Sequence, residues 1–242
     1  MEKKYTIKKP LYNNGGKNMV DYAAAIKKPF SDMQTAGLGI ILGFIPIINI
    51  LVSGYGIGVA RKTVNKDNSL PKWDPNQVVK YLIDAIMAIV ILIVYQIPAG
   101  ILVVIGTFMA GGVFLSSLST GNIEAIASAG LGALAVGGPF ILIGGLLGLI
   151  GGLLSIMGVI AYAKEGSLGA AFKIKQLSKK VLSVPFLVSI IVLIIYQVIL
   201  GIISALLLII PIIGIFLGAG LMMYALTVTG LTLFAEVYNE TP

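Results

Sequence analysis

Long apolar segments alternate with short basic stretches along this chain. The apolar segments are 36–60, 80–118, 128–163, 184–208 and 212–236. All 17 Lys and Arg residues fall in the three stretches 3–28, 61–80 and 164–180. Apolar segments of about 20 residues or more are long enough to cross a bilayer as helices. The pattern therefore predicts an all-α, polytopic integral membrane protein built as a helical bundle.

The basic stretches also predict the orientation of the chain. Loops on the cytoplasmic side of a membrane carry an excess of Lys and Arg, so we expect all three stretches there. The segment 119–127 contains Glu124 and no positive charge, and we expect it outside. The segment 36–60 would then leave the membrane by the side on which it entered.

A break in the middle of the segment 36–60 agrees with that orientation. Pro46 and Asn49 interrupt its apolar residues, and proline breaks helices. We therefore expect about four full spans plus a re-entrant helical hairpin with a turn near 45–49. Each arm would be too short to cross, so its backbone should be buried in protein. A single crossing of 36–60 is the alternative.

The remaining segments divide the chain into an arm and one domain. Residues 1–18 are polar and basic and are predicted to form a mobile arm. Residues 19–238 are predicted to form a single transmembrane helical domain. It should begin with an amphipathic helix in the membrane plane within 19–33, interrupted near Pro29. In this arrangement Lys28 would lie at the lipid headgroups.

The loop 61–79 contains an anchor and a helix start. Trp73 is the only tryptophan, and we expect it to act as an anchor at the membrane interface. Asp74 followed by Pro75 is typical of a helix N-terminus, with Asp as the N-cap and Pro in the first turn. The apolar segment 80–118 that follows is too long for one straight span, which predicts a long tilted helix kinked at Pro98.

Composition narrows the chemistry that the chain can perform. Only 11% of the residues are charged, against about 25% in a typical globular domain. The net charge of +7 lies in loops beside apolar segments, which favours anionic lipid headgroups over nucleic acid as the partner. The absence of Cys and His excludes thiolate and imidazole metal sites and histidine acid–base catalysis. We expect no cofactor and no enzymatic activity, and a protein partner or homo-oligomer stays possible.

Four polar side chains stand out within the apolar segments as candidate intramembrane positions, namely Asn49, Asp84, Gln96 and Gln197. Each has a structural and a functional interpretation. Asn49 would cap the broken helix, and Asp84 would pair with Lys80, which lies four residues earlier on the same helix face. The two glutamines would bond across helices, or alternatively would line a substrate path.

Two apolar strings, at 89–102 and 190–203, resemble each other. The shared residues are Tyr95 and Tyr196, Gln96 and Gln197, and Gly100 and Gly201. The similarity indicates either a duplicated helix or a chance likeness between strings rich in Ile, Val and Leu. In both cases we expect the two amides to turn toward the protein interior, because an unsatisfied amide in lipid is costly.

Short strings between 20 and 238 carry a family resemblance. They are Ala25–Asp32, Gly54-Tyr55 leading to Arg61, Leu70–Asp74, Val94–Pro98, and Tyr162–Leu168 with Ala170–Phe172. Together they resemble the domain-of-unknown-function-4013 family of uncharacterised, mostly archaeal, prokaryotic membrane proteins. The resemblance implies a polytopic helical membrane protein, and it transfers no active site.

These observations leave three functions open for a multi-pass protein of the cell membrane. The first, which we expect from the sequence, is a non-enzymatic, transport-like component, and it requires a polar path reaching Asp84, Gln96 or Gln197. The second is a scaffold or a subunit of a partner complex that binds anionic lipid, which requires a sealed bundle and a docking surface. The third is an enzyme that acts on lipid headgroups, which requires clustered carboxylates near one interface.

Overall fold

The computed structural model describes residues 19–210 and 212–241, and helices account for most of them. The α-helices of this part are α1 (Tyr22–Lys27), α2 (Met33–Phe44), α3 (Ile50–Val64), α4 (Val78–Ser119), α5 (Ile123–Glu165), α6 (Ile174–Val181), α7 (Val184–Leu207) and α8 (Ile213–Glu240). Short 3-10 helices lie at Lys28–Phe30, Pro75–Gln77 and Leu168–Phe172. The described residues form no strand, so the predicted all-α fold is confirmed. The arm predicted for 1–18 lies outside the described residues.

Four helices, α4, α5, α7 and α8, are long and apolar enough to cross a membrane. This number matches the four spans predicted from the sequence. Helix α4 contains 42 residues and continues through Pro98, which makes it about 63 Å long. It is longer than the apolar core of a bilayer, about 30 Å. Asp74 caps the short helix that leads into α4, with its side chain accepting from the amide of Asn76, so the predicted helix start is confirmed.

Helices α4 and α5 form a closely packed antiparallel hairpin. At Gly106 of α4, an added Cβ would lie 2.7 Å from the carbonyl oxygen of Gly137 on α5, and a Cβ on Gly137 would overlap the carbonyl of Gly106. Only glycine leaves room for two backbones to approach this closely, a common device in membrane helix pairs. The glycine-rich composition of α5 therefore serves its packing against α4.

Helices α2 and α3 form the re-entrant hairpin predicted for 36–60. They contain 12 and 15 residues, or about 18 and 22 Å, so neither crosses a core of about 30 Å. The indole nitrogen of Trp73, in the loop after α3, donates to the carbonyl of Thr35 in the first turn of α2. The start of α2 and the end of α3 therefore lie at the same end of the bundle. Both helices pack on α8.

The turn of this hairpin differs from its prediction. Pro46 is exposed, and Ile47 is 88% exposed, so the backbone here is not buried in protein. Burial is unnecessary because the turn satisfies its own amides, for example through the bond from Asn49 N to the carbonyl of Ile45 at 2.9 Å. Asn49 occupies the N-cap position of α3 without a side-chain bond. Its predicted role as a cap is therefore wrong.

The basic stretches meet at one end of the bundle, which we call the basic end. There Lys28 Nζ donates to Thr63 Oγ1 at 2.8 Å, and Asn239 Nδ2 donates to the carbonyl of Val64 at 3.0 Å. Lys180 Nζ donates to the carbonyls of Tyr238, at 2.9 Å, and Thr241. The turn between α4 and α5 lies at the far tip of the α4–α5 hairpin. A common face for the described parts of the three stretches is confirmed, and its cytoplasmic location stays a prediction.

Lys28 lies at a different place from the one predicted. The amphipathic segment is interrupted at Pro29 as expected, since α1 ends at Lys27 and a 3-10 turn follows. However, Lys28 is buried and is not at the headgroups. Within the bundle, the hydroxyl of Thr63 accepts a hydrogen bond from the amine of Lys28. Burial lowers the pKa of Lys28 to about 8.

Candidate functional site

An ion pair with a buried carboxylate and a partly exposed guanidinium joins the hairpin to the first long helix at the basic end. The Nη1 and Nη2 atoms of Arg61, on α3, each lie 3.0 Å from a carboxylate oxygen of Asp84, on α4. The Asp84 side chain is 5% exposed. The predicted partner, Lys80, is exposed and forms no salt bridge with a described residue. The guanidinium fork matches both carboxylate oxygens at once, which a single ammonium cannot do.

A third helix contributes to the same pair. The hydroxyl of Tyr162, on α5, donates to Oδ1 of Asp84 at 2.9 Å. Arg61 and Tyr162 both belong to the strings that carry the family resemblance. Arg61 and Tyr162 lie 23 and 78 residues from Asp84 in the sequence. Local spacing therefore could not predict these contacts. The carboxylate therefore connects α3, α4 and α5.

A cavity of about 310 Å³ opens beside this ion pair. It lies between α3, α4 and the loop that joins them. Its lining is Tyr55, Gly58, Arg61, Lys62, Asn65, Asp67, Pro71, Lys72, Gln77, Lys80, Tyr81 and Asp84. Four of these residues are cationic and two are anionic, so the lining has a net positive charge. We call this the basic cavity.

The two acidic residues of the basic cavity are already paired. Asp84 is held by Arg61, and Asp67 lies 3.4 Å from the ammonium of Lys62. Hydrogen bonds from Ser69 lower the pKa of Asp67 and hold it ionised. Lys72 and Lys80 are exposed, and neither forms a salt bridge with a described residue. Two positive charges of the lining are therefore left for a ligand.

An aromatic cluster adjoins the cavity. Trp73 stacks on Tyr55 with ring centroids 4.1 Å apart and meets Tyr81 edge-on at 5.5 Å. With its indole nitrogen bonded to Thr35, Trp73 fastens the loop to the hairpin. The approach of α3 to α4 depends on Gly54, where a Cβ would overlap the carbonyl oxygen of Tyr81. The membrane-anchor role predicted for Trp73 stays a prediction.

The two glutamines differ in their surroundings. Gln96 is half-buried, and its Nε2 donates to the carbonyl of Gly148 on α5 at 3.1 Å, so its predicted interior placement is confirmed. Gln197 is exposed on α7, and its predicted interior placement is wrong. The residue before each of them is a buried tyrosine. The amide of Gln96 meets α5, on which α4 packs. Helix α7 packs mainly on α8, and Gln197 lies outside that contact.

The four sequence-predicted polar positions therefore do not converge on one site. Asn49 lies at the hairpin turn, Asp84 at the basic cavity, Gln96 between α4 and α5, and Gln197 on the outer face of α7. Arg61, Tyr162 and the free lysines were not predicted as site residues. Their contribution depends on contacts between helices that are far apart in the sequence.

Comparison with known proteins gives one family. The sequence model of a family described as protein of unknown function (DUF4013) matches residues 38–212. The matched range contains Arg61, Asp84 and Tyr162, and it excludes the resembling string Ala25–Asp32. Comparison with curated proteins and with solved structures gives no match.

Proposed function

The chain belongs to this family of unknown function, and we propose from the geometry of the site that it is a non-enzymatic membrane scaffold that binds a phosphate-bearing anionic lipid headgroup in the basic cavity. The observation that carries the proposal is the pair of free cations, Lys72 and Lys80, in a lining whose acidic side chains are both paired. Lysine is a common phosphate ligand. Basic pockets between membrane helices on the cytoplasmic side are suited to anionic headgroups.

The position of the cavity favours a lipid over a soluble anion. Val79, Ile83 and Ile86 are exposed on the first turns of α4, next to Lys80. This apolar surface suits acyl chains, while the ammonium groups of the cavity suit the phosphate. We therefore place the protein in the cell membrane, with the basic cavity at the cytoplasmic leaflet.

The same geometry argues against the two other functions. An enzyme that used the basic cavity would need an available carboxylate there. The oxygens of Asp84 accept three hydrogen bonds from Arg61 and Tyr162, and Asp67 pairs with Lys62. A transport-like component would need a polar path through the bundle. Asp84, Gln96 and Gln197 lie instead in three separate places, namely the basic cavity, the interface of α4 with α5, and the outer face of α7. Lipid binding without chemistry is the function that the site supports best.

The proposal is tested with the charge-neutral variant Lys72→Gln/Lys80→Gln. Its matched control is Lys175→Gln/Lys179→Gln, which removes two exposed lysines of α6 away from the cavity. The full chain is reconstituted in nanodiscs of phosphatidylcholine with a minor fraction of phosphatidylglycerol. Retained lipid is then counted by native mass spectrometry. At about 1 kcal/mol per lysine, the loss of two lysines should weaken the binding of phosphatidylglycerol about thirtyfold relative to the wild type. The control should match the wild type.

The outcomes separate the possible sources of the phosphate. Equal retention of phosphatidylglycerol by both double variants would overturn a specific headgroup site and leave only diffuse attraction. Glycerol phosphate added to protein in zwitterionic nanodiscs provides the second arm. Binding of glycerol phosphate without preference for the anionic lipid would assign the cavity to a soluble anion instead.

A further inference from the structure

The outer face of α7 contains a polar side chain that the bundle does not satisfy. Gln197 lies 13 residues after the start of α7 and 10 before its end, or about 20 and 15 Å along the axis. Its side chain is too short to reach water from that depth. Its amide is exposed and forms no hydrogen bond with another described residue. An amide left unpaired in hydrocarbon is unfavourable, so we expect a polar group from outside the described bundle to form hydrogen bonds with it.

Small residues continue the same face toward the far end of α7. Gly201 and Ala205 follow Gln197 at intervals of four residues, which places all three on one side of the helix. A Cβ added to Gly201 would meet nothing within 4 Å, and Ala205 is exposed. Unlike Gly106 or Gly137, Gly201 therefore has no close packing partner among residues 19–210 and 212–241. A glycine and an alanine four residues apart allow a second membrane helix to approach closely.

We propose that the protein forms a homodimer through α7, in which Gln197 of one copy bonds with Gln197 of the other across a twofold axis. A second copy of this chain is the partner that fits this face. A carboxamide has both donors and an acceptor, so two identical amides at the same depth satisfy each other. A twofold interface requires such self-complementarity. Helix α7 is also free to pair, because α8 is its main neighbour along its length.

Cysteine crosslinking tests the interface, since the chain contains no cysteine of its own. Ala205→Cys places a thiol on the proposed face, and Leu206→Cys places one on an exposed flank away from it. The full chain is reconstituted at low protein-to-lipid ratio and oxidised. Ala205→Cys should give disulfide-linked dimers and Leu206→Cys should give few. Adding Gln197→Leu to Ala205→Cys should weaken dimerisation by about fivefold.

A bulky side chain tests the same face independently of the amide. Gly201→Ile should block the approach and abolish the crosslink at position 205. The monomer should stay folded, because a Cβ added at this position meets no atom of the described residues within 4 Å. The matched control is Gly100→Ile on α4, where an added Cβ also meets nothing within 4 Å. Gly100→Ile should leave the crosslink unchanged.

Three outcomes would overturn the homodimer. The first is equal crosslinking at positions 205 and 206. The second is a crosslink that neither Gln197→Leu nor Gly201→Ile reduces. The third is a purified chain that stays monomeric while Ala205→Cys crosslinks in cells to a product of another mass, which would assign the face to a different protein.

Discussion

Arg61 and Asp84 bind each other through both guanidinium nitrogens, each 3.0 Å from a carboxylate oxygen. The contact fixes α3, which is too short to cross a membrane, to α4, which is long and apolar enough to cross one. The hydroxyl of Tyr162, on α5, donates a hydrogen bond to the same carboxylate. One charged cluster therefore connects the re-entrant hairpin to the two longest helices.

Removal of one partner of the Arg61–Asp84 pair should lower the stability of the protein more than removal of both. Asp84→Leu leaves the Arg61 charge without its partner in a largely buried position, and we expect the free energy of unfolding to fall by about 2–4 kcal/mol. The double variant Arg61→Met/Asp84→Leu should regain most of that loss, because no charge is left unpaired. Thermal unfolding in detergent measures both. A double variant as unstable as Asp84→Leu would contradict this account.

Two of the three glycines of α3, Gly54 and Gly58, differ in what an added methyl group would meet, and this predicts a second pair of outcomes. At Gly54 a methyl group would overlap the carbonyl oxygen of Tyr81, whereas at Gly58 it would meet nothing within 4 Å. Gly54→Ala should force α3 away from α4 and lower stability by about 1–3 kcal/mol. Gly58→Ala should be neutral or slightly stabilising, since alanine favours the helix. Equal melting temperatures for the two variants would show that the close approach at Gly54 is not required.

The features that depend on length and composition could be predicted from the sequence. The four long helices follow from their apolar segments, and the hairpin follows from Pro46 together with basic stretches on both sides of 36–60. These are properties of a segment and its immediate flanks. The common end of the basic stretches follows from the same charge pattern.

The features that depend on which helices become neighbours could not be predicted. Lys80 precedes Asp84 by one turn, but Arg61 reaches the carboxylate from another helix. Gln96 and Gln197 follow buried tyrosines in similar strings, but Gln96 meets the carbonyl of Gly148 on α5, whereas Gln197 is exposed on α7. Local spacing cannot distinguish such cases, because the deciding partner lies elsewhere in the sequence.

Burial of Lys28 predicts a pH dependence of stability. Its pKa in the folded protein is about 8, below the ordinary value of 10.5, because burial disfavours the charged form. Between these two values the unfolded chain binds more protons than the folded chain, so the contribution of Lys28 to stability rises with pH. From pH 8 to pH 10, the wild type should therefore gain stability relative to Lys28→Met.

The comparison requires a control for net charge. Lys27→Met removes an exposed neighbour of Lys28, and its difference from the wild type should vary much less with pH. Melting temperatures in detergent across pH 7–10 provide the measurement. A difference between wild type and Lys28→Met that stays constant, or that falls as the pH rises, would show that the buried amine does not titrate as argued.

The orientation in the membrane can be tested with single cysteines at Lys66, Asn122 and Lys175. Positions 66 and 175 belong to exposed basic stretches, and position 122 lies in the turn between α4 and α5. The bundle places the two ends of the α4–α5 hairpin apart, and the excess of Lys and Arg predicts that the basic end is cytoplasmic. In intact cells an impermeant maleimide should therefore label position 122 alone. Positions 66 and 175 should be labelled only after permeabilisation, and the cysteine-free wild type sets the background. Labelling of position 66 or 175 in intact cells would reverse the orientation and would move the basic cavity away from the cytoplasmic leaflet.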